Sequence, residues 1–500
     1  MPSTTNEQNF GRTSLNAIPR HLIDRYSTAI PRYTSYPTAP NFSADYKQNS
    51  YQQSARDSNQ VLLPRDLSVY VHVPFCHSLC YFCGCNKVIT RQSNAKVDRY
   101  VDHLIQEMAL RSKYFDSDRR VTQIHFGGGT PNFLREAQLA ELLEHISVQF
   151  HLDLPSRLEV GIEIDPRSID ARGVKQLANA GFNRFSIGVQ DFSPEVQQAV
   201  NRIQDEKATL AVIDAALQVS SSVNVDLICG LPKQDVESFS QTLDKIVDAG
   251  VSRIAAYNFA YLPERIKAQR MIDPSDLPTQ QVRLDLTEIT RQKLLSAGYQ
   301  HIGMDHFALP NDSLSKAQNE DSLQRNFQGY TTHAATDLIG LGASAISQFK
   351  NAFAQNATSL SDYMSAIDAN KIPVDRGVLL DDDDVLRADL IQHIMCRNVI
   401  NLDRPIRNIV DNNSEQTIAD YFADEIDRLA QFEKDELIKR SPKQLQVTEL
   451  GSYFRRQLAA CFDEYLPDKL KISCTSQPGY KDSKLNNKAS RNVVKFSQAL

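Results

Sequence analysis

Short β-rich runs alternate with longer helical patterns from about residue 67 to residue 347, and this alternation restricts the fold more than any other feature of the sequence. Strand–helix alternation at this spacing is typical of parallel strands joined by helical crossovers. We therefore predict an α/β fold built on a complete or partial (β/α) barrel, whose ligands collect at the carboxyl ends of the strands. The predicted strands are SVYVHV (68–73), VTQIHF (121–126), LEVGIEI (158–164), RFSIGV (184–189), VNVDLI (223–228), RIAAYNFA (253–260), HIGMD (301–305) and DLIGLG (337–342), and the first two predicted helices cover 95–114 and 136–149.

Changes in composition divide the 500 residues into four regions. Residues 1–60 are polar and rich in proline and tyrosine, which predicts an extended segment that packs over the active site. We place the barrel domain at 61–370, a small helical C-terminal domain, for which a winged form is one alternative, at 371–466, and a basic flexible tail at 467–500. The predicted elements of the C-terminal domain are helices over 415–432 and 449–465 and a hairpin over 436–448.

Charge and hydropathy argue against nucleic acid and membrane partners. The formal net charge is −6 at pH 7, which gives no general affinity for nucleic acid phosphates. The tail carries seven Lys or Arg against two Asp, and we interpret it as a solubilising extension in preference to a nucleic-acid arm. No apolar run approaches the ~18 residues of a spanning helix, and the amino terminus lacks a secretory signal pattern. We therefore expect a cytoplasmic protein.

Four consecutive acids, Asp381 to Asp384, precede a helical pattern. Carboxylates at the start of a helix are stabilised by the positive end of its dipole. Consecutive acids do not converge on one ion, so we favour a helix start over a metal site.

Four of the eight cysteines fall within ten residues, at Cys76, Cys80, Cys83 and Cys85, directly after a predicted strand. A cytosolic chain keeps its thiols reduced, so such a cluster indicates metal binding and not disulfides. Three thiolates at C-x3-C-x2-C spacing suit a cubane iron–sulfur cluster and leave a fourth iron open to a small molecule. The alternative is a zinc site with all four cysteines as ligands, which the C-x-C pair disfavours. The other four cysteines, which we interpret as three core residues and a tail thiol, are Cys229, Cys396, Cys461 and Cys474.

Polar residues and glycines follow several of the other predicted strands. Gly127 to Gly129 and Thr130 follow the second strand, where the backbone of a glycine turn can approach a ligand, although such a run is more often a tight turn alone. Glu163 and Asp165 end the third strand on one face, and buried carboxylates need partners. Asp165 has an equally weighted alternative as a cap for the segment that follows. Each of the later candidates would, alone, be an ordinary polar residue: Gln190, Arg202 and Asp226.

The segment CHSLCYFCGCNK (76–87), with PRYTSYPT (31–38) before it and HFGGGTPNFL (125–134) after it, resembles the radical S-adenosylmethionine (SAM) superfamily. More narrowly it is similar to the oxygen-independent coproporphyrinogen III oxidases, over about residues 25–465. The resemblance implies a barrel of radical SAM type and an oxidoreductase of haem and porphyrin biosynthesis. Its activity would be the anaerobic oxidative decarboxylation of two propionates of coproporphyrinogen III to vinyl groups by a 5′-deoxyadenosyl radical, giving protoporphyrinogen IX.

The resemblance also implies the cofactors and the residues that hold them. It implies one [4Fe–4S] cluster on Cys76, Cys80 and Cys83, with Cys85 beside the cluster, and one SAM molecule, with a second suggested by the family. The residues that would contact SAM are Tyr70, Phe82, Gly128, Gly129, Thr130, Glu163, Gln190, Arg202, Asp226, Ala260 and Ile346. Because the reactive species derives from SAM, no catalytic side chain is assigned. The candidates near the substrate are Arg32 and Tyr33, together with four residues at later predicted strand ends, each of which has a core or capping alternative of equal weight: Tyr257, Asp305, His306 and Phe307.

By the same resemblance, the partners are coproporphyrinogen III and an electron donor such as flavodoxin or ferredoxin, and the protein is a monomer. Two alternatives stay open, a haem-binding chaperone of the same superfamily and a radical SAM enzyme that modifies haem. The chaperones generally have Phe in place of Cys85 and lack the PRYTSYPT segment, so both features favour the oxidase. For Arg32 and Tyr33 in that segment, contact with the substrate and passive packing have equal weight.

Overall fold

A computed structural model of the chain describes residues 18–26, 28–333, 336–406 and 415–467. The predicted tail lies outside the described residues from residue 468 onward, and so does Cys474. Among the described helices, none has both the length and the apolar content needed to cross a membrane.

The described helices are mostly short, and the longest ones cover the main sheet. The α-helices are α1 (Arg20–Tyr26), α2 (Gln48–Asp57), α3 (Ala95–Ser112), α4 (Glu136–Gln149), α5 (Ala171–Asn179), α6 (Pro194–Ala199), α7 (Glu206–Val219), α8 (Val236–Asp248), α9 (Gln280–Ser296), α10 (Ser313–Asn319), α11 (Leu360–Asp368), α12 (Asp382–Cys396), α13 (Ile418–Tyr421), α14 (Ala423–Arg428), α15 (Ala430–Lys434) and α16 (Arg455–Ala460). The 3-10 helices are Ala39–Asn41, Pro131–Phe133, Pro166–Ser168, Lys267–Met271, Pro274–Asp276 and Leu450–Phe454.

The strands form one large sheet and three small ones. They are β1 (Leu67–Val73), β2 (Phe75–Cys76), β3 (Val88–Ile89), β4 (Arg120–Gly128), β5 (His151–Leu152), β6 (Glu159–Ile164), β7 (Arg184–Gln190), β8 (Val223–Cys229), β9 (Arg253–Asn258), β10 (Gln300–Gly303), β11 (His306–Ala308), β12 (Gln324–Asn326), β13 (Gly329–Thr331), β14 (Asp337–Leu341), β15 (Ile346–Phe349), β16 (Ala352–Asn356), β17 (Val374–Leu379), β18 (Val399–Asn401), β19 (Ile438–Arg440) and β20 (Gln444–Val447).

The large sheet confirms the predicted α/β architecture in its partial form. Its parallel part has the order β14-β1-β4-β6-β7-β8-β9, and the short strand β5 pairs parallel with β4. Antiparallel strands extend it at both edges, with β11 and β10 beyond β9 and with β15, β16 and β17 beyond β14. Among the described residues no pairing joins β10 to β17, so the barrel is open.

The prediction missed β11, an antiparallel strand that lies between β9 and β10, so that β10 runs in the same direction as β9 but does not pair with it. The HIGMD run forms β10, which pairs antiparallel with β11, and β11 pairs antiparallel with β9. Only Met304 and Asp305 connect β10 to β11, and a connection this short makes a hairpin, because parallel neighbours need a long crossover.

Burial alternates along the central parallel strands. In β7 and β8 the apolar residues are buried on one face, and the polar residues on the other face are half buried. The buried faces join the main hydrophobic core together with residues of the covering helices, such as Phe239, Leu243 and Ile246 of α8. The polar face is therefore left to line the interior of the open barrel.

A second hydrophobic core lies outside the barrel and joins α1, the β12–β13 hairpin, α12 and the C-terminal helices. Tyr26 stacks on Phe432 at 4.8 Å, and its hydroxyl donates to Asp435 over 2.6 Å. The amino-terminal segment is not extended throughout, because α1 and α2 lie within it. The main sheet continues through β17, past residue 370, and the four domain boundaries stay predictions.

The C-terminal region differs from the prediction in helix length. The helix expected over 415–432 is divided into α13, α14 and α15, which meet at the fully buried Phe422 and Leu429. The helix expected over 449–465 is a 3-10 turn followed by the short α16. Tertiary packing of buried side chains here overrides the helical repeat. The hairpin over 436–448 is present as β19 and β20, with β18 as a third strand.

The acidic run starts a helix as predicted. Asp381 is the N-cap of α12, and its side chain accepts a hydrogen bond from the backbone of Asp384 over 2.9 Å. The side chain of Asp384 accepts in return from the backbone of Asp381, which completes a capping box.

A buried network of charged and polar groups connects α3 to the end of β14, to β16 and to α11. Glu107 and Arg111 have side chains that are 0% exposed and pair over 2.8 Å. The Glu107 carboxylate also accepts from the Asn356 amide, the Gly342 backbone and the Tyr363 hydroxyl, over 2.7 to 2.9 Å. Such a network is stable only while every member has its partners.

We predict that Arg111→Met lowers the free energy of unfolding by about 3–5 kcal/mol, because it leaves the Glu107 charge buried without its main partner. Urea denaturation followed by circular dichroism measures this change. The matched control is Arg99→Met, which removes an exposed ion pair with Asp368 and is expected to cost at most about 1 kcal/mol. Equal losses in the two variants would contradict the prediction.

Candidate active site

The cysteine loop leaves the carboxyl end of β1 beside the glycine turn that ends β4. The two strands are in register, with Val73 opposite Gly128 and with the Gly129 amide donating to the Val73 carbonyl over 2.8 Å. The short pair β2–β3 closes the loop, since the Val88 amide donates to the Pro74 carbonyl over 2.6 Å. Residues 76–87 therefore form one compact loop at the strand ends.

The thiols of Cys76, Cys80 and Cys83 each have a polar partner. The partners of Cys76 and Cys80 lie outside the loop, and the partner of Cys83 is the neighbouring Cys85. The Thr130 hydroxyl donates to Cys76 Sγ over 3.3 Å, and burial raises the pKa of Cys76 to about 11. Guanidinium nitrogens of Arg167 and Arg202 lie 3.5 and 3.6 Å from Cys80 Sγ. A hydrogen bond with the neighbouring Cys85 lowers the pKa of Cys83 to about 6. Hydrogen bonds and cations directed at sulfur suit a negatively charged thiolate cluster.

The glycine turn fits closely against the loop. A Cβ atom at Gly129 would lie 2.8 Å from the Pro74 carbonyl oxygen and 3.0 Å from Cys76 Sγ. Gly128 has φ +119°, and a Cβ there would lie 2.6 Å from the His72 ring. Only glycine at both positions permits this approach.

Glu163 ends β6 next to this turn. Its carboxylate accepts from the Gly128 amide over 3.1 Å and from His125 Nε2 over 3.4 Å, while the side chain stays 44% exposed. The Tyr70 hydroxyl shares a 3.1 Å hydrogen bond with His72 Nδ1 on the same strand. The Glu163 carboxylate therefore accepts few hydrogen bonds within the protein, and its oxygens can accept further hydrogen bonds from a ligand.

Asp165 has the opposite character, because its partners are inside the protein. It accepts from the Arg167 backbone over 3.1 Å as the N-cap of a 3-10 helix. Burial opposes its ionisation, but Arg202 and Arg167, at 3.3 and 2.6 Å, hold the pKa of Asp165 at about 2. These contacts favour the capping interpretation for this residue.

Gln190 and Asp226 lie on the next two strands, β7 and β8, and Arg202 lies in the connection between α6 and α7. Gln190 ends β7 with φ +68°, and Arg202 Nη2 donates to the Gly188 carbonyl over 2.5 Å. Asp226 on β8 accepts from Ser186 and Asn224, each over 2.9 Å. Burial and the nearby Glu163 charge raise the pKa of Asp226 to about 6.

Two cavities collect the predicted residues. A small one, about 70 Å³, is lined by Glu163, Asp226, Tyr257 and His306 together with His125. A larger one, about 460 Å³, is lined by Arg32, Ala260, Asp305 and Phe307 among others. Tyr257 belongs to the wall between them, because Arg32 lies over its ring at 5.7 Å and the His306 ring packs edge-on at 5.6 Å.

The remaining candidates are placed less uniformly. Gln269 donates to the carbonyls of Phe82 and Ala260 over 3.1 and 2.9 Å, so it links the cysteine loop to the larger cavity. Ile346 starts β15, on the far side of β14, and lines neither of these two cavities in the described part of the chain. Tyr33 is buried, and its hydroxyl donates to Asp463 over 3.0 Å.

Comparisons with known proteins show the family of the chain. The family model for the radical SAM superfamily matches residues 70–246. Oxygen-independent coproporphyrinogen III oxidases from Salmonella typhimurium and Escherichia coli (strain K12) are 43% and 44% identical to the chain over 452 residues, which cover 90% of the chain and 96% of each relative. The chain belongs to the oxygen-independent coproporphyrinogen III oxidase family. A solved structure described as coproporphyrinogen III oxidase (HemN) from Escherichia coli, a radical SAM enzyme, has a TM-score of 0.82 at 42% identity, covering 90% of this chain and 99% of that one.

As a radical SAM oxidoreductase of this family, the chain takes a [4Fe–4S] cluster and SAM as cofactors. The residues present fit both groups. Three thiols share a compact loop, which is the soft donor set that iron–sulfur clusters require. Beside them, the buried Nε of Arg202 has no hydrogen-bond partner among the described residues, and Glu163 faces a cavity. An anionic cluster and a zwitterionic ligand supply such partners.

Sequence reasoning missed several residues of this oxidase site, among them His72, His125, Arg167 and Gln269. Strand alternation offers a signal for His125, which precedes Gly127 by two positions and so shares its face. The sequence holds no comparable signal for Gln269, because it lies in a 3-10 helix after an irregular loop.

We predict that anaerobically prepared oxidase holds about four iron and four sulfide per chain, since three loop thiolates suit one cubane cluster. Cys76→Ala, Cys80→Ala and Cys83→Ala are each expected to abolish it. Iron and sulfide analysis with the absorbance spectrum measures the loss, and Cys229→Ala, at a buried cysteine of the main core, is the control. Stoichiometric zinc and no cluster after reconstitution would show that the zinc alternative is correct.

Cys85→Ser is predicted to keep the cluster and to impair turnover. The pair of Cys83 and Cys85 places this thiol beside a ligand, and three ligands already leave one iron for SAM. Iron content and product formation are measured on the same preparation. Complete loss of cluster iron would show that Cys85 is itself a ligand.

Proposed function

We propose that the chain converts two propionates of coproporphyrinogen III to vinyl groups without oxygen, giving protoporphyrinogen IX in haem biosynthesis. Each propionate loses a hydrogen atom, carbon dioxide and one electron, which passes to an acceptor. The observation that carries the proposal is the identity of 43–44% with named oxidases along 90% of the chain. It is supported by the intact cysteine loop at the sheet edge.

Cys76, Cys80 and Cys83 are proposed to hold the cluster. When bound, the cluster and SAM would supply the radical chemistry for hydrogen abstraction from the propionate β-carbon. Arg167 and Arg202 stabilise the charge on the Cys80 sulfur through their guanidinium groups. The protein's share of the chemistry is to bind, orient and exclude water.

SAM is proposed to lie along the strand ends from β4 to β9. The backbone of the glycine turn and the Glu163 carboxylate suit its amino group, and the Asp226 carboxylate suits the ribose hydroxyls. The support is that Glu163 and Asp226 share one cavity. The other proposed SAM contacts are Tyr70, Phe82, Gly128, Gly129, Thr130, Gln190, Arg202, Ala260 and Ile346, of which Phe82 and Gly128 are assigned to a second SAM molecule.

Arg32, which lines the larger cavity, and Tyr257, which lines the small cavity next to it, are proposed to face the substrate. Arg32 forms an ion pair with the buried Asp305, and this charge holds the pKa of Asp305 below its usual range although burial opposes it. The pair fixes the guanidinium at the cavity wall, where it can bind a propionate carboxylate. Burial lowers the pKa of His306 to about 3, so its ring is neutral and packs as an aromatic.

The remaining partners follow from the reaction and from the net charge. A one-electron donor such as flavodoxin or ferredoxin is the proposed partner that would supply the electron for this chemistry. From the family we also propose a cytoplasmic monomer, and the net charge of −6 gives no general affinity for nucleic acid phosphates.

The direct test is an anaerobic assay with reductant, SAM and coproporphyrinogen III, analysed for protoporphyrin after oxidation. Two vinyl groups formed per molecule are expected. Cluster-loaded protein that cleaves SAM but leaves coproporphyrinogen III unchanged would refute the oxidase activity.

We predict that Arg32→Met keeps the cluster and uncoupled SAM cleavage but lowers decarboxylation at least tenfold, because a charge-assisted contact to a propionate is lost. Arg32→Lys is expected to recover part of the rate. Arg25→Met, which removes an ion pair of the same amino-terminal segment with Asp435, is the control. Full decarboxylation by Arg32→Met would contradict the prediction, and loss of the cluster would mean that the residue is needed for folding.

A further inference from the structure

A third cavity, of about 430 Å³, lies outside the proposed SAM site. The amino-terminal residues Tyr33 to Tyr36 line one side, and α12 and the β15–β16 pair line the others. Four cations, Arg65, Arg325, Lys350 and Arg404, line it against a single acid, Asp389. This excess of positive charge suits an anionic ligand.

Arg325 is held in this cavity by a hairpin. It lies on β12 directly opposite Tyr330 on β13, and its guanidinium packs over the Tyr330 ring at 4.9 Å. The hairpin is fixed to α12 by two hydrogen bonds, from Gln392 to the Arg325 carbonyl over 2.9 Å and from the Tyr330 hydroxyl to the Met395 carbonyl over 3.0 Å. The position of the guanidinium is therefore set by the backbone around it.

Among the described residues, Arg325 forms no salt bridge, although its charge, like that of Arg32, helps to hold the pKa of Asp305 below its usual range. It is 6% exposed, and its Nε and Nη1 atoms are buried without a hydrogen-bond acceptor. Its neighbours differ, since Arg404 pairs with Asp389 and Arg65 lies 4.0 Å from Asp337. A buried guanidinium is costly without an anion, and its planar fork of donors matches a carboxylate.

The cavity borders the proposed site through a row of rings. The Tyr330 ring packs edge-on against His306 at 5.2 Å, and His306 packs against Tyr257 at 5.6 Å. Tyr330 and His306 also line the small cavity that contains Glu163. A ligand on Arg325 is thus separated from the proposed SAM site by one aromatic layer.

We propose that Arg325 and this third cavity form a carboxylate-binding subsite, which holds one propionate of the macrocycle while another is decarboxylated. The inference rests on the proposed function. The buried, unpaired guanidinium in a cationic cavity next to the site carries it. By anchoring a propionate that does not react, the subsite would set which side chain meets the radical.

Binding of coproporphyrin III to the anaerobic holoenzyme tests the proposal, with porphyrin fluorescence as the readout. The same titration with coproporphyrin III tetramethyl ester removes the carboxylates and keeps the ring. The variants are Arg325→Met and Arg325→Lys. The matched control is Arg376→Met, at a half-buried arginine of β17 that donates to Gln355 and does not line the cavity.

We expect Arg325→Met to weaken coproporphyrin III binding at least tenfold, Arg325→Lys to weaken it less, and neither to change ester binding. Cluster absorbance and uncoupled SAM cleavage should match the wild type. If Arg325→Met binds coproporphyrin III as tightly as the unmodified enzyme does, and the unmodified enzyme turns over coproporphyrinogen III, the subsite is overturned and the proposed function stands. Equal weakening for the acid and the ester would also overturn it, because it would indicate a structural role. A wild-type holoenzyme that binds no coproporphyrin III would overturn the subsite, and the proposed function would fall with it only if the same holoenzyme also formed no protoporphyrinogen IX in the anaerobic coproporphyrinogen III assay.

Discussion

Parallel pairing of the central strands is the constraint on which the rest of the structure depends. Because these strands run in one direction, their carboxyl ends lie along one edge, and whatever follows each strand is delivered there. The cysteine loop after β1, the glycine turn at the end of β4 and Glu163 at the end of β6 are neighbours for this reason. The register of β1 with β4 then sets how closely loop and turn approach, and only glycine fits at that contact.

Charge at this edge is divided between groups that are satisfied inside the protein and groups that are not. Asp165 and Arg167 pair with each other and form a rigid frame around the Cys80 sulfur. Glu163 and the Nε atom of Arg202 retain unused hydrogen-bonding capacity, and both border the cysteine loop or its turn. Groups that carry such unused capacity at a cavity are those expected to contact cofactors.

The amino-terminal segment links the barrel to the second core. Arg32 binds Asp305 at the edge of the sheet, whereas Arg456 of α16 donates to the Pro31 carbonyl over 3.1 Å. Tyr33, the next residue, is turned toward the C-terminal side and donates to Asp463. Adjacent residues of one irregular segment therefore line two different cavities. The segment also contributes to both cores, with Tyr36 in the second core and Tyr46 in the main one.

The sequence by itself determined the strand–helix alternation, the parallel barrel strands, the cysteine loop and the family, because these depend on local periodicity and on residues close together in the chain. It also identified Glu163 and Asp226 as polar strand residues, although Asp226 lies in the middle of β8 and not at its end. Tertiary structure alone decided that β10 and β11 form a hairpin, that 415–432 breaks into three helices, and that Asp165 pairs with arginines. Gln269 and Arg325 also became visible only in the fold, because their contacts join segments far apart in sequence, and no local pattern encodes which distant partner a buried polar group receives.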